Sequence, residues 1–482
     1  QARALETTDL AVLTTTQTRG LSSAQVAALT TTQVGALTTT QLGTLTVTQI
    51  GGLGSAQVGA LTTTQLGALT STQIGALKAA QLRGFDTTDI AALTTTQVAG
   101  LASSQITALT TTQIRALETT DLAALTTAQL LGLSTLQMGV LTTTQISALT
   151  TTQVSRLATR LVAALNTTDV AALSTTQVGA LTSTQLAAMG TTQVRALETT
   201  DLAVLTTTQI AGLGASKLGA LSTTQVGALT TTQLGALATA QVAGLSSTQI
   251  IALTTTQLGA LTSSQIGALT TAQLRGLDTT DVAGLTTTQV AGLTTTQLGS
   301  LTTTQLAALE TTDLAALSTT QIRGIAPSSI GALTTTQVGA LTTTQIGALT
   351  TAQIGRIEST DIAALTTTQI GALTSTQARA LSTTQIRGLE TTDLAVLTTT
   401  QLRGLAATQL GALTTTQLGA LTTTQVAALA TTQVTGLTSG QVAGLTTTQL
   451  GALVSSQIRA LTTAQLAGLT TTDVVALTTT QI

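Results

Sequence analysis

An eight-residue cycle, Leu-Thr-Thr-Thr-Gln-Ile-Gly-Ala, runs through all 482 residues without an insertion or deletion. Residues 341–349 show it in consensus form. So short and strict a period rules out ordinary globular folding, because each octad must take one conformation and bury its apolar side chains against other octads. Two buried aliphatic side chains contribute about 1.5–3 kcal/mol each. Ordering eight residues costs roughly 1–2 kcal/mol apiece in backbone entropy. One octad therefore cannot fold alone, and cooperative stacking along the chain is required.

With Gln345 numbered position 1, the octad reads as a short capped helix. Thr342 is the N-cap and Gln345 is N3, which makes an S/T-x-x-E/Q capping box. Leu341 and Ile346 then fall at N′ and N4, where they form a hydrophobic staple, and Leu341, Ile346 and Leu349 are the candidate core. The helix is expected to run about seven residues, roughly two turns. Deviations obey the same grammar. Pro327 falls at N1, where its missing amide is harmless, and Asn166, Asp86 and Asp278 are good N-caps in place of Thr. Position 1 is Gln in 48 of 61 octads, Asp in ten, and otherwise Leu161, Lys217 or Ser329. Acids suit a first turn, and Arg3, Arg83, Arg115, Arg195, Arg275 and Arg387 lie near the preceding helix end, where cations belong. Gly and Ala at positions 3 and 4 let backbones approach closely.

A strand reading is the alternative. Thr, Val and Ile favour strands, and two octads would make one coil of a flat parallel β-solenoid with Thr and Gln ladders. The apolar positions have mixed parity, however, whereas a half-buried strand alternates strictly. Ala, Leu and Gln also prefer helix. The expected fold is thus all-α: a solenoid or superhelix of very short helices, one per octad, paired into 16-residue units.

The acids carry a second order. Asp9, 89, 121, 169, 201, 281, 313, 361, 393 and 473 are spaced by 80, 32, 48, 32, 80, 32, 48, 32 and 80 residues, all multiples of 16. Laid on a superhelix of about 2.4 two-octad units per turn, they would gather into one charged stripe suited to lateral contact; the other explanation is duplication of a 192-residue block.

Composition excludes much chemistry. Phe85 is the single aromatic residue, and there is no His, Cys, Trp or Tyr. No catalytic site is expected, since only carboxylates and hydroxyls remain and they repeat rather than converge. The net charge of −2 offers no basic patch for nucleic acid. Mean hydropathy is +0.44, yet Thr and Gln interrupt every apolar run far short of the roughly 20 residues that span a bilayer. Residues 1–482 are read as one continuous solenoid, a segment of something longer. Weak candidates for Ca²⁺ are the pairs Glu6 and Asp9, Glu118 and Asp121, and Glu198 and Asp201, but an acidic helix start beside its Arg is the preferred reading. Met138 and Met189 occupy core positions, so no cofactor, haem included, is expected.

The unit L-[ST]-[ST]-x-[QD]-[ILV]-[GA]-[AG], as in residues 61–68 and 413–420, resembles the Leu-Thr-x-x-Gln octad arrays of large bacterial surface proteins. Those proteins carry adhesion, haemagglutinin-like or haem-utilisation labels. The resemblance spans the chain and implies secretion and a cell-surface or extracellular role. The expected function is a non-catalytic structural protein that partners with itself as a filament or sheath subunit. The alternatives are an adhesin stalk and an ice- or glycan-facing solenoid, with or without Ca²⁺.

Overall fold

The computed structural model describes residues 2–481, and one short helix recurs with each octad. In the Thr343–Ala348 helix, the extended N-cap Thr342 (φ −68°, ψ 156°) is followed by six helical residues, and the chain turns extended again at Leu349 (φ −56°, ψ 144°). The helices span four to six residues, fewer than the seven expected from the sequence. They are cut short because the position-5 side chain must enter the core. Its backbone leaves the helix, and leucine plus the following cap form an extended link. No residue needs a positive φ among those described. No strand occurs among the described residues. The β-solenoid reading is overturned, and with it the flat threonine ladders on which an ice- or glycan-facing surface depended.

Contacts divide the chain into two compact units, Gln1–Gly244 and Leu245–Ile482. The same coil builds each. Within each unit, helices pack on the helix three octads ahead, as Ser183–Ala188 does on Thr207–Gly212 and Ser359–Ala363 on Thr383–Gly388. Position-1 side chains reach back 28 to 31 residues, as from Gln345 to Leu314 and Leu317. One turn therefore holds between three and four octads. This corrects the 16-residue pairing, because the partner of an octad lies on the next turn rather than beside it in sequence. It also removes the stripe, which required nearly five octads per turn. Isolated two-turn helices are unstable in water, so these short helices persist only through contacts between turns.

Positions 2 and 5 fill the interior. Leu341, Ile346 and Leu349 are buried, as are Phe85, Met138 and Met189. Pro327 opens the Pro327–Ile330 helix. Small residues at positions 3 and 4 face the neighbouring turn. A Cβ on Gly84 would run into the Ser55 carbonyl oxygen, and one on Gly59 into the Gly84 carbonyl. Glycine is not needed everywhere, since a Cβ on Gly67 would touch nothing within 4 Å.

Candidate functional site: a glutamine ladder with acidic gaps

The position-1 glutamine makes two kinds of bond at once. Gln345 Oε1 accepts from the Thr342 amide at 2.9 Å, and the Gln345 amide donates to Thr342 Oγ1 at 3.2 Å. Its Nε2 then donates to the carbonyls of Leu314 at 2.8 Å, Ala315 at 3.3 Å and Leu317 at 2.7 Å. These carbonyls lie at the end of the helix four octads earlier, where intrahelical donors run out; that of Leu314 also accepts from the Leu317 amide at 3.2 Å. The side chain is thus both cap and rung. Gln113 does the same for Leu82 and Phe85, each at 2.8 Å, and Gln425 for Leu394, Ala395 and Leu397. The cap bond survives when the hydroxyl is absent, since the amides of Lys78 and Ala102 still donate to Gln81 and Gln105.

Sequence reasoning that stops at the capping box finds the Oε1 role and misses the Nε2 role. A signal existed in the exceptions. Leu161 cannot make a rung, and the adjacent Arg160 supplies the missing donors to Leu133 at 2.8 Å and Leu131 at 2.9 Å. These carbonyls lie 28 and 30 residues before Leu161, the offsets a glutamine would serve. Lys217 reaches Ala187, also 30 residues back, at 2.7 Å.

Aspartate at position 1 loses the rung; it keeps the cap at Asp89, Asp169, Asp201, Asp281, Asp313, Asp393 and Asp473 but not at Asp9, Asp121 or Asp361. Asp201 Oδ2 accepts from the Glu198 amide at 3.0 Å and Asp393 Oδ2 from the Glu390 amide at 3.0 Å. The other carboxylate oxygen has no proton to give. Where it finds a partner across the turn, it accepts: Asp313 Oδ1 from the Thr287 hydroxyl at 2.9 Å, and Asp361 Oδ1 from Thr335 at 2.7 Å. Asp121 is buried and interacts with the Thr95 hydroxyl, and its Oδ2 has no hydrogen-bond partner. Burial pushes the carboxyls of Asp89, Asp121, Asp169, Asp281 and Asp393 above the ordinary range, against hydrogen bonds that pull them down. Asp473 is the opposite case, held low by the Thr470 side chain and amide.

Two of the three candidate Ca²⁺ pairs, Glu118 with Asp121 and Glu198 with Asp201, are split by their environments. Glu6, Glu118 and Glu198 are exposed and make no side-chain cap bond. Asp121 and Asp201 are buried and Asp9 is exposed. No group of three or more acidic, His or Cys side chains able to hold a metal occurs among the described residues. The guanidinium groups of Arg3, Arg83 and Arg387 bond carbonyls 25 residues ahead, at Ala28, Ala108 and Ala412. A surface depression of about 500 Å³ is lined by Val47, Ser71, Thr72, Gly75, Ala76 and Gly100, none of which is titratable. No helix among the described residues is long and apolar enough to cross a membrane.

Coil, ladder and uniform octads define an all-α octad-repeat solenoid. The ALTTAQ repeat family model matches residues 3–151, 162–351, 354–423 and 451–482 in overlapping tiles, and the chain belongs to that family. Comparison with curated proteins finds no match.

Proposed function

We propose that this chain is a non-catalytic extracellular structural protein, the self-associating subunit of a filament or sheath on a bacterial cell surface. The observation that supports this reading is the equivalence of the octads. Each glutamine octad spends its one polar interior side chain on its own cap and on the turn behind it, as Gln345 does with Thr342, Leu314 and Leu317. No octad is set apart as a reaction centre. Thr and Ser hydroxyls with scattered small apolar side chains form the outward face, a neutral surface suited to lateral contact between copies. Haem utilisation gains nothing from a chain without His or Cys whose methionines are in the core.

Electron microscopy of the purified chain tests the proposal. Ordered fibres are the expected result. Monodisperse rods at every concentration would sink the filament reading and favour an adhesin stalk. Repeating the measurement with a chelator reads out any calcium requirement of the assembly.

A further inference from the structure

The acidic octads interrupt the ladder in a defined way. Four pairs, Asp89 and Asp121, Asp169 and Asp201, Asp281 and Asp313, Asp361 and Asp393, are 32 residues apart, which is four octads. Four octads is also the rung spacing, so the second acid of each pair lies over the end of the helix that the first one opens. Glutamines at the places of Asp121 and Asp393 would donate to the Leu93 and Leu365 carbonyls. Among the described residues no side chain does so.

We propose that five of these aspartates, Asp89, Asp121, Asp169, Asp281 and Asp393, are proton-gated rungs: a neutral carboxyl supplies the donor that glutamine supplies elsewhere, so mild acid tightens the coil and neutral pH loosens it. The proton comes from solvent and no other bond changes. The carboxyl is one methylene shorter than the glutamine side chain, so the turns draw together locally as the contact forms.

The surroundings of Asp121 and Asp393 leave the proton few competitors. Asp121 lies in the Thr119–Ala124 helix, which packs on Thr95–Ala99 and Thr143–Ser147, neither with a titratable side chain. Asp393 lies in Thr391–Val396, which packs on Thr367–Gly371 and Thr415–Gly419, again without one. The charged groups nearby are the N-caps Glu118 and Glu390, the acids Asp86, Asp89, Glu358 and Asp361 at the helices four octads back, and Arg115 and Arg387 on the preceding helices. Four octads ahead stand the neutral Gln153 and Gln425, which cover the ends of the two aspartate helices themselves.

The direction of the effect follows from linkage. Burial holds the carboxyls of Asp89, Asp121, Asp169, Asp281 and Asp393 above their unfolded value of about 3.9, so the folded state binds the proton more tightly at these five. That contribution is complete below the unfolded value and is lost as pH rises through the folded one. Asp473 opposes it, as a lone group with a lowered value.

Thermal unfolding of the full chain at pH 7.5 and 4.5 tests the proposal, beside a variant carrying D89N, D121N, D169N, D281N and D393N. Asparagine keeps the cap acceptor and carries a permanent donor. The wild-type chain is expected to melt higher at pH 4.5, by on the order of 5 °C, and the asparagine variant to melt high at both. A D121Q/D393Q variant, with the ladder restored at full reach, should match it in direction. A wild-type chain that melts lower in acid overturns the proposal. So does an asparagine variant with undiminished pH dependence. Stabilisation by added calcium at pH 7.5 that the asparagine variant loses would also overturn it, because the carboxylates would then be ligands.

Discussion

Gln345 and Asp121 hold the same place in the octad and are each 2% exposed, yet they do different work. Gln345 accepts from its own N-cap and donates to three carbonyls of the turn behind. Asp121 receives a hydroxyl from Thr95 and leaves Oδ2 without a partner. An amide carries an acceptor and a donor on one planar group, whereas a carboxylate carries only acceptors. The difference teaches what joins one turn of coil to the next. Apolar burial is alike in both octads, with Ile346 and Leu122 fully buried, so the donor is what separates them.

Removing both functions of the amide gives the largest expected effect. Gln345→Leu leaves the Thr342 amide and the Leu317 carbonyl unsatisfied and takes a donor from Leu314 and Ala315, a loss of about 3 kcal/mol. Hydrogen exchange should show it as lost protection over residues 314–349. Space between turns is next. Gly84→Ala forces a Cβ onto the Ser55 carbonyl oxygen, and separating the turns there costs about 2 kcal/mol by denaturant unfolding. Arg160→Ala strips the substitute rung from Leu131 and Leu133 and makes that octad resemble an acidic one, at about 1–2 kcal/mol. Adding Leu161→Gln to that variant should recover most of the loss. At the small end, Gly67→Ala meets no neighbour and should stabilise by roughly 0.5–1 kcal/mol through helix propensity.

Much of this was legible in the sequence. The N-cap, N3 and staple positions follow from local rules that act within eight residues, and they fix where each helix starts. The helix end was less legible, because Leu349 leaves the helix for the core rather than for any local signal. The number of octads per turn was not legible either. Acid spacings in multiples of 16 suggested pairs, but the count is set by how small side chains such as Gly59 and Gly84 nest between turns, a contact between residues 25 positions apart. The second bond of glutamine was hidden for the same reason. Its targets lie 28 to 31 residues back, and only Arg160 beside Leu161 and Lys217 at position 1 betray the need for a donor.

The central claim is that position-1 glutamines join successive turns through Nε2. Hydrogen exchange of the side-chain amide protons, followed by NMR on chain labelled with ¹⁵N at glutamine, tests it most directly. The account predicts dispersed, slowly exchanging Nε2 protons for the buried glutamines and loss of that signal at Gln345 in Gln345→Leu. Nε2 protons that all exchange at the rate of free glutamine, in a chain that is helical by circular dichroism, would contradict it.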